Sequence, residues 1–324
     1  MILRIAVSLV ALVAVVVAGF GIYVAARQNL KFDAPYPDIT ASTDSAVIAR
    51  GRYVVHSLAN CGACHRDTTR TADWMAGAEV PLSGGFTWDI PPGKIRARNL
   101  TPDDETGIGR FSDGAIARAL RHGVGHDGRA LLPFMELQGL SDEDITAIIS
   151  YLRAQPPVHN LVPAHRYSLL GNVVKATVLA NPVGPSGTPP TASPRGASEE
   201  TGRYLVGSVA LCWACHTQRD MATGALVGSR FGGSTGFTEP DQPGVSWSPP
   251  NITADSATGR LGNWSEDDFV MRFRAGRLIP HSPMPWQGLQ KLDEDDLRSM
   301  YRYLKSLPPV KNDVGPPLVV LERK

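Results

Sequence analysis

All four cysteines of this 324-residue chain fall in two copies of one pattern, Cys61-Gly62-Ala63-Cys64-His65 and Cys212-Trp213-Ala214-Cys215-His216. Cys-x-x-Cys-His is the attachment motif for c-type haem. The residue types follow from the chemistry: two thiols add to the porphyrin vinyl groups as thioethers, and the adjacent histidine binds the iron from the proximal side. One zinc shared by the two pairs is an alternative. It leaves the histidine after each pair without a purpose, and the pairs lie far apart in the chain. A thioredoxin-like redox pair is another, but it expects one pair near a βαβ pattern, which the sequence lacks. Two covalently bound haem c groups (iron) are therefore expected, attached through Cys61, Cys64, His65, Cys212, Cys215 and His216. A chain that must wrap a bulky planar group needs many defined turns, and this one has 32 glycines and 26 prolines.

The chain is built as a repeat. Gly51-Arg52-Tyr53 precedes the first motif and Gly202-Arg203-Tyr204 the second. Asn99-Leu100-Thr101 recurs as Asn251-Ile252-Thr253, Thr106-Gly107 as Thr258-Gly259, and Tyr151-Leu152…Pro156-Pro157-Val158 as Tyr303-Leu304…Pro308-Pro309-Val310. Repeated units of this size predict two similar domains. The expected division is residues 1–30 as a membrane anchor or signal segment, 31–158 as domain one, 159–196 as a connector and 197–324 as domain two. Within the connector, 167–179 is apolar enough for a short helix, packed on a domain or lying near a membrane surface, with packing preferred. Residues 181–196 read as an extended Pro/Ser/Thr/Gly linker.

Helical periodicity dominates. Ser141 with Asp144 opens a stripe of Ile145, Ile148, Ile149 and Leu152, and Asp293 with Asp296 opens one of Leu297, Met300, Tyr301 and Leu304; a double proline stops each. Further helices are predicted from Ser112 and Ser265 and over 45–60 and 199–211. No sustained alternation of apolar and polar residues appears, so strands should be few. The expected fold is mainly α: two tandem domains, each wrapped around a covalent haem, behind an amino-terminal transmembrane helix.

That helix is read from Ile5 to Ala26, apolar apart from Ser8 and preceded by Arg4. About 20 apolar residues span a bilayer, whereas a signal-peptide core is nearer 7–15. An uncleaved anchor is the favoured reading, with cleavage after Val24-Ala25-Ala26 as the alternative. Arg27 and Lys31 blur the charge rule for orientation; haem attachment outside the cytoplasm puts the rest of the chain in the periplasm, at the bacterial inner membrane.

A proximal histidine leaves one iron position open. Met135, in Leu131-Leu132-Pro133-Phe134-Met135, and Met284, in His281-Ser282-Pro283-Met284-Pro285, occupy matching proline-containing loops before the last helix of each unit. They are the expected sixth ligands. A nearby proline stiffens such a loop, and a thioether raises the reduction potential. Met75, Met221, Met271 and Met300 have no counterpart in the other unit. His122, His126 and His281 are rival ligands; His56, His159 and His165 read as solvent or packing residues. Asn99 and Asn251 either orient the proximal imidazole or a propionate, or build a turn. Lys94, Arg96 and Arg98 could pair with propionates of the first haem only. Trp88, Trp247 and Trp264 are candidates to pack on porphyrin or core.

These residues resemble class I cytochrome c domains. They are most similar to the multihaem cytochrome c subunits of bacterial membrane-bound alcohol, sugar-acid and aldehyde dehydrogenases. The likeness rests on Gly-Arg-Tyr before Cys-x-x-Cys-His, on the Asn99–Gly109 loop with the following Phe-Ser, and on the final Ser-Asp…Tyr-Leu…Pro-Pro-Val. Those subunits commonly carry three haem domains, against two motifs here, and Asp255-Ser256-Ala257 replaces Asp103-Asp104-Glu105. The resemblance implies the fold, His/Met ligation and electron carriage. The expected function is a membrane-anchored dihaem carrier, not an enzyme, taking electrons from a dehydrogenase or quinol to a cytochrome or oxidase. The alternative is a dihaem peroxidase or sulfur-compound oxidoreductase with one catalytic haem, which needs an open iron that two Met ligands do not leave. A haem-bearing structural or assembly subunit is a third reading. A net charge of +1 offers nothing to nucleic acid, which wants a concentrated basic face.

Overall fold

An apolar stretch must pair its backbone groups internally, and the run at the start does so as one unbroken helix, α1 (Ile2–Arg27). The structure is a computed structural model and describes residues 1–220, 224–239, 242 and 244–321. Met221 and the last three residues lie outside the described residues. The first copy of the repeat supplies α2 (Ser45–Tyr53), α3 (Gly62–His65), α4 (Thr71–Met75), α5 (Asp113–His122) and α6 (Asp142–Ala154). The connector holds α7 (Leu169–Thr177). The second copy supplies α8 (Glu199–Tyr204), α9 (Trp213–His216), α10 (Glu266–Arg274), α11 (Trp286–Leu289) and α12 (Glu294–Ser306). The strands are short: β1 (Thr87–Ile90), β2 (Gly93–Arg96) and β3 (Arg166–Tyr167) in one antiparallel sheet, β4 (Val245–Trp247) with β5 (Leu318–Val320) in another.

Capping explains where the helices begin. Asp44 accepts from the amides of Ala46 and Val47; Ser112 caps α5, Ser141 caps α6, and Ser265 with Asp268 makes a full capping box at α10. Asp293 departs from expectation. Its side chain makes no cap bond to α12; instead its amide donates to the Tyr53 hydroxyl at 2.9 Å. Asp144 likewise does not return to its cap residue, because its carboxylate is taken by Arg50 and Tyr204.

Backbone packs on backbone where α2 crosses α6 and α8 crosses α12. A Cβ on Gly51 would overlap the carbonyl of Ala147, and one on Gly202 that of Ser299. The glycines of the repeated Gly-Arg-Tyr are therefore required by close approach. Both helices run on into a π-helical turn, Val54–Leu58 and Leu205–Val209, and end on a left-handed residue, Asn60 (φ 50°) and Leu211 (φ 49°). The next amide closes the end, Cys61 to Val55 O at 2.9 Å and Cys212 to Val206 O at 3.1 Å. The helices expected over 45–60 and 199–211 are present, their second half π-helical and their last turn ending at Leu58 and Val209.

The two copies exchange tyrosines. The Tyr53 hydroxyl donates to Asp296 Oδ2 at 2.7 Å, and Tyr204 donates to Asp144 Oδ2 at 2.7 Å while accepting from the Ser141 amide at 3.0 Å. Glycines in the turns after the candidate methionines do the same: Gly288 lies against the carbonyls of His56 and Ser57, and Gly139 against Ser208. One contiguous apolar cluster runs through both copies, including Val54, Leu58, Ile145, Leu205, Leu297 and Met300. The linker 181–196 is tied down, with the Asp142 and Glu143 amides bound to Pro190 O and Thr191 O, and Ser193 Oγ on Ser141 Oγ at 2.7 Å.

Candidate haem sites

Each Cys-x-x-Cys-His segment forms a single helical turn, α3 or α9, so both sulfurs and the imidazole issue from one short stretch. Position of the imidazole is set by one contact. His65 Nδ1 meets Arg98 O at 2.7 Å, and His216 Nδ1 meets Pro250 O at 2.8 Å. A carbonyl only accepts, so Nδ1 carries the proton and Nε2 is the bare, metal-binding nitrogen. Burial holds both imidazoles below the ordinary histidine range, against the carbonyl's opposing pull, which keeps them neutral as ligands. Burial also pushes the Cys61 and Cys212 thiols up to about 12, and Cys64 and Cys215 up to about 11. A reactive redox pair needs a lowered thiol, so this environment disfavours the thioredoxin-like reading. Cys64, His65 and Cys215 nevertheless keep open surface. The sulfurs are thus reachable from outside, as a group bonded to both of them requires. Among the described residues no three His, Cys, Asp or Glu side chains gather as a metal site.

The carbonyls come from loops that the sequence marked for a different reason. Asn99 does not touch the imidazole. Its Nδ2 donates to Thr106 Oγ1 (3.1 Å) and Val158 O (2.8 Å), and its Oδ1 accepts from Thr101 N and Oγ1. Asn251 repeats this with Thr258, Val310 and Thr253. The turn reading of these asparagines is the correct one. They clamp the Pro-Pro-Val segment beneath the loop, and the residue before each asparagine then presents its carbonyl to the histidine.

Met135 and Met284 are both half-buried and pack against the same apolar cluster as Cys61 and Cys212 do. Their backbones are held, Met135 O by Gln138 Nε2 at 3.1 Å and Met284 O by the Trp286 amide at 2.8 Å. Among the rivals, His126 is stacked on Phe111 at 4.2 Å, and His281 is exposed with a left-handed backbone. Arg96 and Arg98 direct guanidinium nitrogens at the carbonyls of Ala164, Val162 and Pro163, and Lys94 pairs with Asp89 at 2.9 Å. Trp88 packs at a tilt on Phe134, ring centroids 5.2 Å apart. His56 packs on Tyr151 with Nε2 2.7 Å from its hydroxyl.

One feature had no sequence signal. Trp74 lies where a side chain at Gly62 would be, with the Arg66 guanidinium 4.6 Å from its ring. In the second copy Trp213 occupies the position of Gly62 in the motif, and Arg219 and Arg230 lie 5.4 and 5.1 Å from its ring. An indole stacked by guanidinium thus flanks each cysteine pair from unrelated sequence positions.

No protein-family model matches the chain. It is 32% identical over 286 residues to the cytochrome c subunit of the quinone-linked alcohol dehydrogenase of Gluconobacter oxydans (82% of this chain, 56% of that one). It is 30% identical over 287 residues to the gluconate 2-dehydrogenase cytochrome c subunit of Pantoea cypripedii (82% and 60%). A dihaem c-type cytochrome of Cereibacter sphaeroides is 26% identical over 267 residues (78% and 83%). The chain spans a little over half the length of the two dehydrogenase subunits. Over most of its own length it is a homologue of the cytochrome c subunits of bacterial alcohol and gluconate dehydrogenases and of a dihaem cytochrome c.

Proposed function

We propose that this chain is a membrane-tethered electron carrier with two covalently bound c-type haems, one in each of two tandem domains (31–158 and 197–324). Cys61, Cys64 and His65 would hold the first and Cys212, Cys215 and His216 the second, with Met135 and Met284 as sixth ligands. The observation that carries the reading is the doubled proximal arrangement, in which a loop carbonyl fixes Nδ1–H of each histidine and leaves Nε2 free. A haem held there supplies reversible one-electron oxidation of its iron. The chain's part is to fix the proximal ligand, offer a thioether on the opposite side and keep the two sites in one packed body. The tyrosine exchange between copies serves the last of these.

The electron source in this reading is a dehydrogenase or quinol, and the acceptor a downstream cytochrome or oxidase; the cytochrome subunits of dehydrogenases among the relatives support it. α1 is the tether, since its apolar window has no buried residue and is long enough to cross a bilayer. The haem domains then lie on the periplasmic side of the bacterial inner membrane.

Met284→Ala tests the ligation. It should remove the methionine-to-iron charge-transfer band of one haem and lower that haem's potential by on the order of 100 mV, a modest part of the roughly 0.8 V that axial ligands govern. The other haem should keep its potential, and Met135→Ala should give the converse. Two unchanged potentials would exclude Met284 as a ligand. A high-spin ferric haem that reacts rapidly with peroxide in the unaltered protein would replace the carrier reading with the enzymatic one.

A further inference from the structure

Helix α7 is docked on one side and bare on the other. Gly171 and Ala176 are buried, whereas Leu169 is 82%, Leu170 51% and Val178 67% exposed. The buried side packs on the last turns of α1: Arg27 Nε donates to Ala176 O at 3.4 Å, and Lys175 Nζ to Asn29 Oδ1 at 3.1 Å. We propose that α7 lies along the surface of the membrane that α1 crosses, with Leu169, Leu170 and Val178 at the acyl boundary and Arg166 and Lys175 among the lipid phosphates. The proposal rests on α1 being a retained membrane span.

Depth is the first argument. The apolar run from Ile5 to Ala26 rises about 33 Å at 1.5 Å per residue, close to the roughly 30 Å hydrocarbon core. Arg27 therefore sits at headgroup level, and so does the turn of α7 bonded to it. Leu169, Leu170 and Val178 are exposed on the half of α7 turned away from its buried Gly171 and Ala176, and interfacial helices bury such a face about 5–10 Å into the interface. Charge is the second argument. No acidic residue occurs between Asp144 and Glu199, while Arg166 and Lys175 lie in that stretch and Arg27 and Lys31 beside it. Such a surface is complementary to anionic headgroups.

Placement of α7 also orients the first haem site. Ser168 holds α7 to the turn between β1 and β2, its amide on Pro92 O at 3.0 Å and its hydroxyl on Pro91 O at 2.8 Å. β3 extends the same sheet through β2. Arg98, just beyond β2, grips Val162 O and Pro163 O, and its own carbonyl holds His65. The first copy is thereby the one turned toward the membrane.

The test uses the full-length haem-loaded chain in vesicles of phosphatidylethanolamine and phosphatidylglycerol, with single cysteines L169C, V178C, S186C and V13C and a water-soluble maleimide. Ser186 is an exposed linker residue and serves as the aqueous reference. L169C and V178C should react about tenfold or more slowly than S186C, equivalent to about 1.4 kcal/mol of protection. Protection of V13C with L169C and V178C reacting within about tenfold of S186C would overturn the proposal and leave the anchor standing. A mature chain whose mass shows loss of α1 would overturn both.

Discussion

Tyr204→Phe should destabilise the protein much more than Tyr53→Phe, although the two tyrosines occupy equivalent places in the repeat. The Tyr204 hydroxyl is the acceptor for the Ser141 amide at 3.0 Å and a donor to Asp144 Oδ2 at 2.7 Å. Ser141 and Asp144 are both fully buried, so no water replaces the lost oxygen. Leaving a buried donor unsatisfied costs about 1–3 kcal/mol, and a hydrogen bond to a charged group contributes about 1.5–3 kcal/mol. Asp144 keeps Arg50 at 2.8 and 3.0 Å, which offsets part of the second loss. A total of about 2–4 kcal/mol is expected. Tyr53 makes the mirror contacts to the Asp293 amide and Asp296, but Asp293 is exposed. Water can satisfy its amide, so Tyr53→Phe should cost about 1 kcal/mol. Guanidinium unfolding of the oxidised haem-loaded protein, followed by near-ultraviolet circular dichroism, measures both. A loss in Tyr53→Phe equal to or larger than that in Tyr204→Phe would refute the reasoning, as would a Tyr204→Phe loss below about 1 kcal/mol.

Two further substitutions probe the same contacts. Gly51→Ala and Gly202→Ala each place a methyl into a backbone carbonyl of the facing helix. Each should cost about 1–3 kcal/mol or more in unfolding free energy, the range for overpacking, and neutrality of either would show that the helices can separate without penalty. Asp296→Asn reports on pH. Burial, the leading cause, raises the Asp296 carboxyl above the ordinary carboxylate range, with Tyr53 and Arg50 pulling the other way. The native state thus holds that proton more tightly than the unfolded state. The stability this contributes is full below the unfolded carboxylate pKa and is lost as pH rises through the folded one. Asp296→Asn should therefore be more stable than the parent at neutral pH and equal to it in acid, measured as the difference in thermal midpoints. A difference that grows on acidification would contradict the assignment.

The two carboxylates that receive these tyrosines also differ, and that difference rests on one replacement. Arg50 precedes Gly51, and Thr201 holds the equivalent place before Gly202. Asp144 thus receives a guanidinium from its own copy at 2.8 Å, whereas Asp296 receives the Tyr53 hydroxyl. The repeat was evident in the amino-acid order, but the consequence of this difference was not, because each carboxylate is completed by a tyrosine of the other copy.

What the sequence determined by itself was short-range and chemical. Two Cys-x-x-Cys-His segments, the repeated loops around them, the amphipathic stripes of α6 and α12 and the apolar span of α1 are all legible, since each depends on residues a few positions apart. Their tertiary meaning was not legible. The asparagines of the repeated loops proved to be clamps, and the carbonyl that orients each histidine belongs to the preceding residue, Arg98 or Pro250, whose side chain carries no signal. Asp293 carries a cap signature yet spends its amide on a tyrosine of the other copy. The indole beside the first motif is Trp74, several residues downstream of Gly62. Backbone carbonyls look alike in every sequence, and contacts between distant segments exist only once packing has brought them together, so the structure alone decided them.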